Sequence, residues 1–402
     1  MDKHKSLENS QSPVLIDGGI KSYPSESNFS GCQSCGEAKT EGGADGGVER
    51  TADGTVDGEE ARTSLKGLDR CKSVCKGWKN LTYESTFTPL HCERTGTILG
   101  YFVQDLVHNK YFSKFASMDR SKELGQNLSL DFLPHPMKVE ASSNQGILCC
   151  VYHDYRNYRF YVCKPSTRQW QKLPNPKTRY MTVQVAIVVI RSNPLHYKIV
   201  RLSNPKHMLK YYYNYHCEIF DSDLWAWRKL NDVLLPPRVI FINQPTVVAS
   251  GAIHWLTSND QVFAFDINSE TYSTFPLPEP IITEEDEFHY RDKQLTVYKG
   301  RLAFIYREPD GYLVLWEMDT NRVWQKINTL NIEPVEEKEP YPSYAAFYNA
   351  DIAVMKGFRN IMFYKFQNCG SGDVKLHDLK MVPRDIFVFR SDLEPTELKC
   401  GS

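Results

Sequence analysis

Cys32-Gln-Ser-Cys35 has the thiol spacing of half a zinc site. A structural zinc needs four ligands, and no matching second pair of thiols or imidazoles follows. The 11 His show no metal-ligand spacing. No metal and no other cofactor is therefore expected. The chain also has no Gly-x-Ser-x-Gly nucleophile turn, no His-Glu-x-x-His pair and no phosphate-binding glycine loop. The reading is a binding protein with no catalytic residues, not an enzyme. The sequence leaves one route to chemistry open, in carboxylates from distant segments gathered at a shared axis.

Two segments carry side chains suited to binding a partner. The spacing predicts a helix over 64–81, where Leu65, Leu68, Cys71, Cys75, Trp78 and Leu81 recur at steps of three or four, with Val74 beside them. That is one apolar face of a 3.6-residue period, and Ser64 can cap its start. Lys66, Arg70, Lys72, Lys76 and Lys79 fall largely on the opposite side and read as a solvated face. The run Lys210-Tyr211-Tyr212-Tyr213-Asn214-Tyr215 is the second candidate, because Tyr is favoured at interface anchors. Its plainer reading is a strand with alternating faces. Glu284-Glu285-Asp286-Glu287 and Glu336-Glu337-Lys338-Glu339 read as solvated loops.

The elements that must position these residues follow from a returning signature. An apolar and aromatic run meets a polar turn, and then an aromatic residue has an apolar residue three places after it. Trp170 precedes Leu173, Trp227 precedes Leu230, Tyr272 precedes Phe275 and Trp324 precedes Ile327, with the aromatics 57, 45 and 52 residues apart. A period of roughly 40–50 residues built from short strands marks propeller blades. Strands are expected to open after small-residue turns at Gly146, Gly251 and Gly300, and to end at Lys164-Pro165-Ser166-Thr167, Asp221-Ser222-Asp223, Asp266-Ile267-Asn268 and Asp319-Thr320-Asn321. Pro174 and Pro276 close two final strands. Radial stacking would bury the sheet faces, so Trp170, Trp227, Trp255 and Trp324 are expected between blades. Six blades fit best. Residues 97–140 fit the repeat poorly, 183–231 lack an opening Gly, and 384–390 is the candidate for closing the ring.

Composition bounds the rest. The chain has 402 residues, 12% aromatic, with a net charge of −1, so no global field recruits nucleic acid or an anionic membrane. No apolar run reaches the roughly 18 residues a membrane span needs. The amino terminus lacks an apolar signal region. The 11 Cys are an odd, irregularly spaced set, which reads as reduced thiols of a cytoplasmic or nuclear protein. The Asn-x-Ser/Thr triplets at Asn28, Asn80 and Asn127 are then chance matches. Residues 1–62 are rich in Gly, Ser and acids, and are expected to be disordered because they cannot bury enough apolar area to offset ordering. The domain reading is a tail over 1–62, a helical segment over 63–90 and an all-β propeller over 95–395.

The segment Leu68–Phe87, with Arg70, Val74-Cys75-Lys76, Trp78, Leu81 and a closing Phe87, resembles the second half of a plant F-box. The stretches Ser142–Cys149, Pro165–Pro174, Gly251–Leu256 and Phe265–Thr271 resemble the F-box-associated interaction domain, a kelch-like propeller. The resemblance covers about residues 65–390. It implies that Leu65, Leu68, Val74, Cys75, Trp78 and Leu81 grip a Skp-type adaptor. It further implies that the propeller selects proteins for an SCF-type cullin–RING ubiquitin ligase. One departure stands against it. The Leu-Pro-led first half of the F-box has no counterpart, and residues 42–62 are Gly- and acid-rich instead. A propeller that binds partners without docking the adaptor is the alternative.

Overall fold

Six antiparallel sheets, each folded as one blade, follow one another along the chain and around a common axis. The computed structural model describes residues 91, 99–118, 128–154, 157–191, 194–205, 213–278, 293–308, 310–366, 372–391 and 398. The first blade orders β3 (Lys138–Ser142), β4 (Leu148–Asp154), β5 (Asn157–Lys164) and β6 (Gln169–Lys172). The second comprises β7 (Met181–Arg191), β8 (His196–Asn204), β9 (Tyr213–Asp221) and β10 (Ala226–Lys229), with β11 (Val233–Leu235) also paired to β9. The third holds β12 (Val247–Ala249), β13 (Ala252–Leu256), β14 (Gln261–Asp266) and β15 (Tyr272–Pro276). The fourth holds β16 (Lys293–Tyr298), β17 (Arg301–Arg307), β18 (Leu313–Met318) and β19 (Trp324–Leu330). The fifth holds β20 (Ser343–Phe347), β21 (Ile352–Lys356), β22 (Asn360–Lys365) and β23 (Asp373–Asp378).

The sixth blade explains why residues 97–140 fit the repeat poorly. It joins β1 (Leu99–Val107) and β2 (Lys110–Ala116) from the start of the ring to β24 (Asp385–Arg390) from its end. Tyr101 faces Val388 and Gln104 faces Asp385 in the β1–β24 ladder. The 384–390 stretch thus closes the ring, as its sequence predicted. Strands do open after Gly251 and Gly300, as β13 and β17, and each is the second of its blade, because an innermost strand precedes the turn. Those are two-residue turns, Ser250-Gly251 and Lys299-Gly300, with every φ positive. This is the hairpin geometry whose twist matches the flanking strands.

Turn chemistry repeats at the third-to-fourth-strand connection. Asp221 Oδ1 accepts the main-chain N–H groups of Asp223 and Leu224. Asp266 Oδ1 does the same for Asn268 and Ser269, and Asp319 Oδ1 for Asn321 and Val323. A left-handed residue then stands two places before each signature aromatic: Arg168, Trp225, Glu270 and Arg322. The short side-chain acceptor fixes the turn, and the left-handed residue redirects the chain into the outer strand.

The core lies between blades. Phe160 and Val162 of the first blade pack with Ile199, Phe220 and Trp227 of the second. Tyr215 and Ile219 meet Trp255 and Phe263 between the second and third. Leu256 and Val262 meet Leu302 and Phe304 between the third and fourth. Ile305 and Leu313 meet Met355 and Tyr364 between the fourth and fifth. Tyr101 and Val103 meet Val354 and Phe363 between the fifth and sixth, and Phe102 and Phe389 meet Leu148 and Cys163 where the sixth meets the first. Each such side chain contributes about 1.5–3 kcal/mol on burial, so the ring is held by six comparable seams.

The four tryptophans do not all share that fate. Trp227 and Trp255 are buried and Trp324 is half-buried, but Trp170 is 42% exposed. Tyr272, another signature aromatic, is also exposed. Ile327, the apolar partner of Trp324, lies at a bulge where the β18–β19 register shifts, and is turned out to solvent. The Glu336–Glu339 run is not a solvated loop either. It begins in the short helix α1 (Glu333–Glu336), and Glu339 is buried, accepting from Phe358 N at 2.9 Å and Asn360 Nδ2 at 2.7 Å.

Candidate functional site

Because successive strands are antiparallel, the blade ends fall on two faces. First-to-second and third-to-fourth turns share one face. Second-to-third turns share the other with the linkers between blades, which makes it the face with more chain to vary. On this linker face lie Lys177–Tyr180, Arg238–Gln244, Glu308–Tyr312, Asn331–Pro342, Gly357–Arg359 and Leu379–Arg384.

Two buried polar clusters come nearest to a site. In the first, Arg201 and Glu218 form an ion pair at 2.5 Å, with both side chains fully buried. Arg201 Nε donates to Thr182 Oγ1 at 2.9 Å, and its Nη2 to the Tyr180 carbonyl at 2.5 Å. Glu218 accepts Thr178 N and Thr178 Oγ1 at 3.2 and 2.9 Å. Burial pulls the guanidinium below its ordinary value, and the Glu218 charge restores part of it. The pair spends its hydrogen bonds on the linker 178–182. It is a clamp for chain geometry, with little capacity for a ligand.

The second cluster lies near the axis, at the linker-face ends of β3, β21 and β24. Lys138 Nζ meets Glu140 Oε2 at 2.8 Å. Burial raises the Glu140 carboxyl, while Lys138 opposes the rise. Asp385 acts on both groups and on Lys356. Burial lowers the Lys356 amine, and Asp385 works against that. These are the carboxylates from distant segments that the sequence left open. Here lysines interleave with them, so their charges are compensated. Among the described residues no group of three or more His, Cys, Asp or Glu could hold a metal ion.

Exposed apolar side chains on the linker face include Tyr341, 92% exposed, and Phe358, 71%, with Val382 and Tyr312 also exposed. Glu339 ties the Phe358 turn to the linker that carries Tyr341. Leu379 N donates to the Arg359 carbonyl at 3.0 Å, and Val382 N to Asp105 Oδ2 at 3.2 Å. No sequence pattern singled these out, since an isolated Tyr or Phe in a turn carries no periodicity.

The residues read from sequence as partner-binding divide differently. Leu65, Leu68, Val74, Cys75, Trp78 and Leu81 lie outside the described residues, as do Cys32, Cys35, Lys210–Tyr212 and Glu284–Glu287. Of the tyrosine run, Tyr213–Tyr215 opens β9 and Tyr215 is buried against Phe241, with ring centroids 4.9 Å apart. The strand reading holds there, and Tyr215 is not available to a partner.

A family model described as the F-box associated beta propeller domain matches residues 101–350. This chain belongs to the F-box-associated β-propeller family. The match runs from β1 into the fifth blade, and the structure continues the family's propeller to its closing strand β24. Three relatives from Arabidopsis thaliana show the extent of the likeness. F-box protein At5g41720 is 38% identical over 149 residues, 34% of this chain and 78% of that one. F-box protein At5g49610 is 30% identical over 284 residues, 66% of this chain and 71% of that one. F-box protein At5g07610 is 25% identical over 306 residues, 71% of each chain. Among the described residues no helix of this F-box-associated propeller protein is long and apolar enough to cross a membrane.

Proposed function

We propose that this chain is the substrate-recognition subunit of an SCF-type cullin–RING ubiquitin ligase, with its propeller as the receptor for the protein to be modified. The observation that carries the reading is the F-box-associated propeller itself, in a chain whose relatives are named F-box proteins. Upstream of it, Leu68–Phe87 resembles half of an F-box. In this role the chain does no chemistry. It raises the effective concentration of substrate lysines beside the charged ubiquitin carrier. Leu65, Leu68, Val74, Cys75, Trp78 and Leu81 would supply the apolar grip on a Skp-type adaptor, and a cytoplasmic or nuclear location would suit that partner.

A second reading has its own observation. Residues 42–62 are Gly- and acid-rich where the first half of an F-box would stand. A few buried anchors carry most of an interface's affinity, so a half-motif can fail to dock. The chain would then be a stand-alone interaction module. Co-purification with the Skp-type adaptor decides between them, with Trp78→Ala plus Leu81→Ala as control. A complex that the control abolishes supports the ligase reading. A folded propeller that brings down no adaptor supports the stand-alone one.

A further inference from the structure

We infer that the groove between the first and second blades, on the face of the first-to-second-strand turns, is a docking site for an extended segment anchored by a leucine, and that the chain fills it with its own Leu398. The inference goes beyond the receptor reading and does not rest on it.

The chain leaves its last strand on that face. Each innermost strand runs from the linker face towards the first-to-second-strand turns, and β24 holds the innermost position of the sixth blade. Arg390 therefore ends on the turn side, and Ser391 is buried directly after it. Leu398 stands seven residues further on, within the roughly 23–25 Å that seven extended residues can span. It is 7% exposed and belongs to the apolar cluster of the seam between the first and second blades. The side chains of β24 itself fill the neighbouring seam, between the sixth and first. Leu398 thus reaches one seam further than the strand that closes the ring.

The groove has a lining of its own. At its turn-side end Ile147 comes from the first blade, and Leu195 and Trp225 from the second, with Tyr197 in the same cluster. Trp225 is set edge-on against Phe220, with ring centroids 5.3 Å apart. Ile190 and Leu224 are exposed at this end of the second blade. The surface is apolar and ready-made, and the residue that enters it is carried there from the sixth blade.

A contact of this kind can open. Burial of one leucine is worth about ten- to a hundredfold in an equilibrium, so the uncovered groove is populated at roughly 1–10%. A tether of this length gives Leu398 an effective concentration on the order of 1 mM. The same segment without its tether should then bind with a dissociation constant on the order of 10–100 μM. A leucine from a partner must displace Leu398 to enter, which makes the contact autoinhibitory for this groove.

The test uses the full chain throughout and a fluorescein-labelled peptide spanning Ser391–Ser402, followed by anisotropy. The full chain carrying Leu398→Asp should bind the peptide in the range given above. The unaltered chain should bind it about ten- to a hundredfold more weakly, because its own leucine competes. A peptide with Leu398→Asp should show no binding up to about 1 mM. Hydrogen exchange should slow on peptide addition in the turns that carry Leu195 and Trp225, and not on the linker face. Each protein is checked for a single cooperative thermal transition. Leu398→Ala, which removes most of the anchor without adding a charge, replaces Leu398→Asp if that variant does not fold. Equal binding by the variant and the unaltered chain, no binding to a folded variant, or protection on the linker face overturns the proposal. Adaptor co-purification has no bearing on these outcomes, so the ligase reading and this one fail separately.

Discussion

Trp227 donates its indole N–H to the carbonyl of Pro174, 2.8 Å away, across the seam between the first and second blades. The same contact recurs two seams on, where Trp324 donates to Pro276 at 3.0 Å. Between them the Tyr272 hydroxyl accepts Leu234 N at 3.3 Å. The signature aromatic therefore reaches the end of the preceding blade's outer strands at three successive seams. Among the described residues the sixth blade, which precedes Trp170, has three strands.

The first prediction follows from that contact. Trp227→Phe keeps most of the apolar burial and removes the donor, leaving the Pro174 carbonyl unpaired. A loss of about 1–2 kcal/mol in denaturant unfolding is expected. Trp324→Phe, at a more exposed seam, should cost less than about 1 kcal/mol. Equal losses at the two sites would show that the hydrogen bond is not what distinguishes them.

How much of this was legible in the sequence depends on the residue. Asp221, Asp266 and Asp319 announced their turns because the side chain acts on its own neighbouring backbone. Gly251 and Gly300 announced theirs because few other residues adopt those angles readily. The innermost strands were harder to place, since β12 has three residues and no periodicity to count. The exposure of Trp170 was invisible, because the spacing that marks a signature aromatic does not say how much of its ring a neighbouring blade covers. The Arg201–Glu218 pair was equally hidden, for it is two charges on apolar strands until the β8–β9 register sets Arg201 opposite Glu218. The exposed Tyr341 and Phe358 carried no signal, because they stand singly in a linker and a turn.

The Arg201–Glu218 clamp yields a second prediction. Removing one partner leaves a buried charge without its counter-charge, so Glu218→Gln or Arg201→Met should each cost about 3–5 kcal/mol. Replacing both, as Arg201→Met plus Glu218→Leu, should cost less than the sum of the two, because no lone charge remains. A double-mutant cycle by urea unfolding measures the coupling. Additive losses would mean that the two side chains act independently in holding the 178–182 linker.

Stability should fall on mild acidification because of His254. Its ring is buried, which pushes its pKa down from 6.5 to about 4, against a smaller opposing hydrogen bond with Val247. The folded value lies below the unfolded one, so the unfolded chain binds the extra proton. The contribution of neutral His254 is present above about pH 6.5. It is lost as pH falls from there to about 4, and then levels off. The span corresponds to roughly 3 kcal/mol. His254→Leu should flatten the part of the stability-versus-pH curve between those limits. An unchanged slope in that variant would assign the acid sensitivity to other groups.

Ring closure gives the last prediction. β24 is the innermost strand of the sixth blade, and Phe387 and Phe389 fill the seam with the first blade alongside Phe102 and Leu148. Phe389 packs edge-on against Phe102 and Phe115, with centroids 5.2 and 5.9 Å apart. A chain ending at Arg384 would lose these apolar contacts and leave the inner edge of β1 unpaired. Two well-buried Phe contribute about 3–6 kcal/mol by area alone, a large part of the margin by which domains are stable. The truncated chain should therefore lose its single cooperative thermal transition. A synthetic peptide spanning Asp385–Arg390 added in excess should partly restore it, since β1 offers the vacant edge. A truncated chain that melts as sharply as the full one would mean that the other five seams suffice to hold the blades.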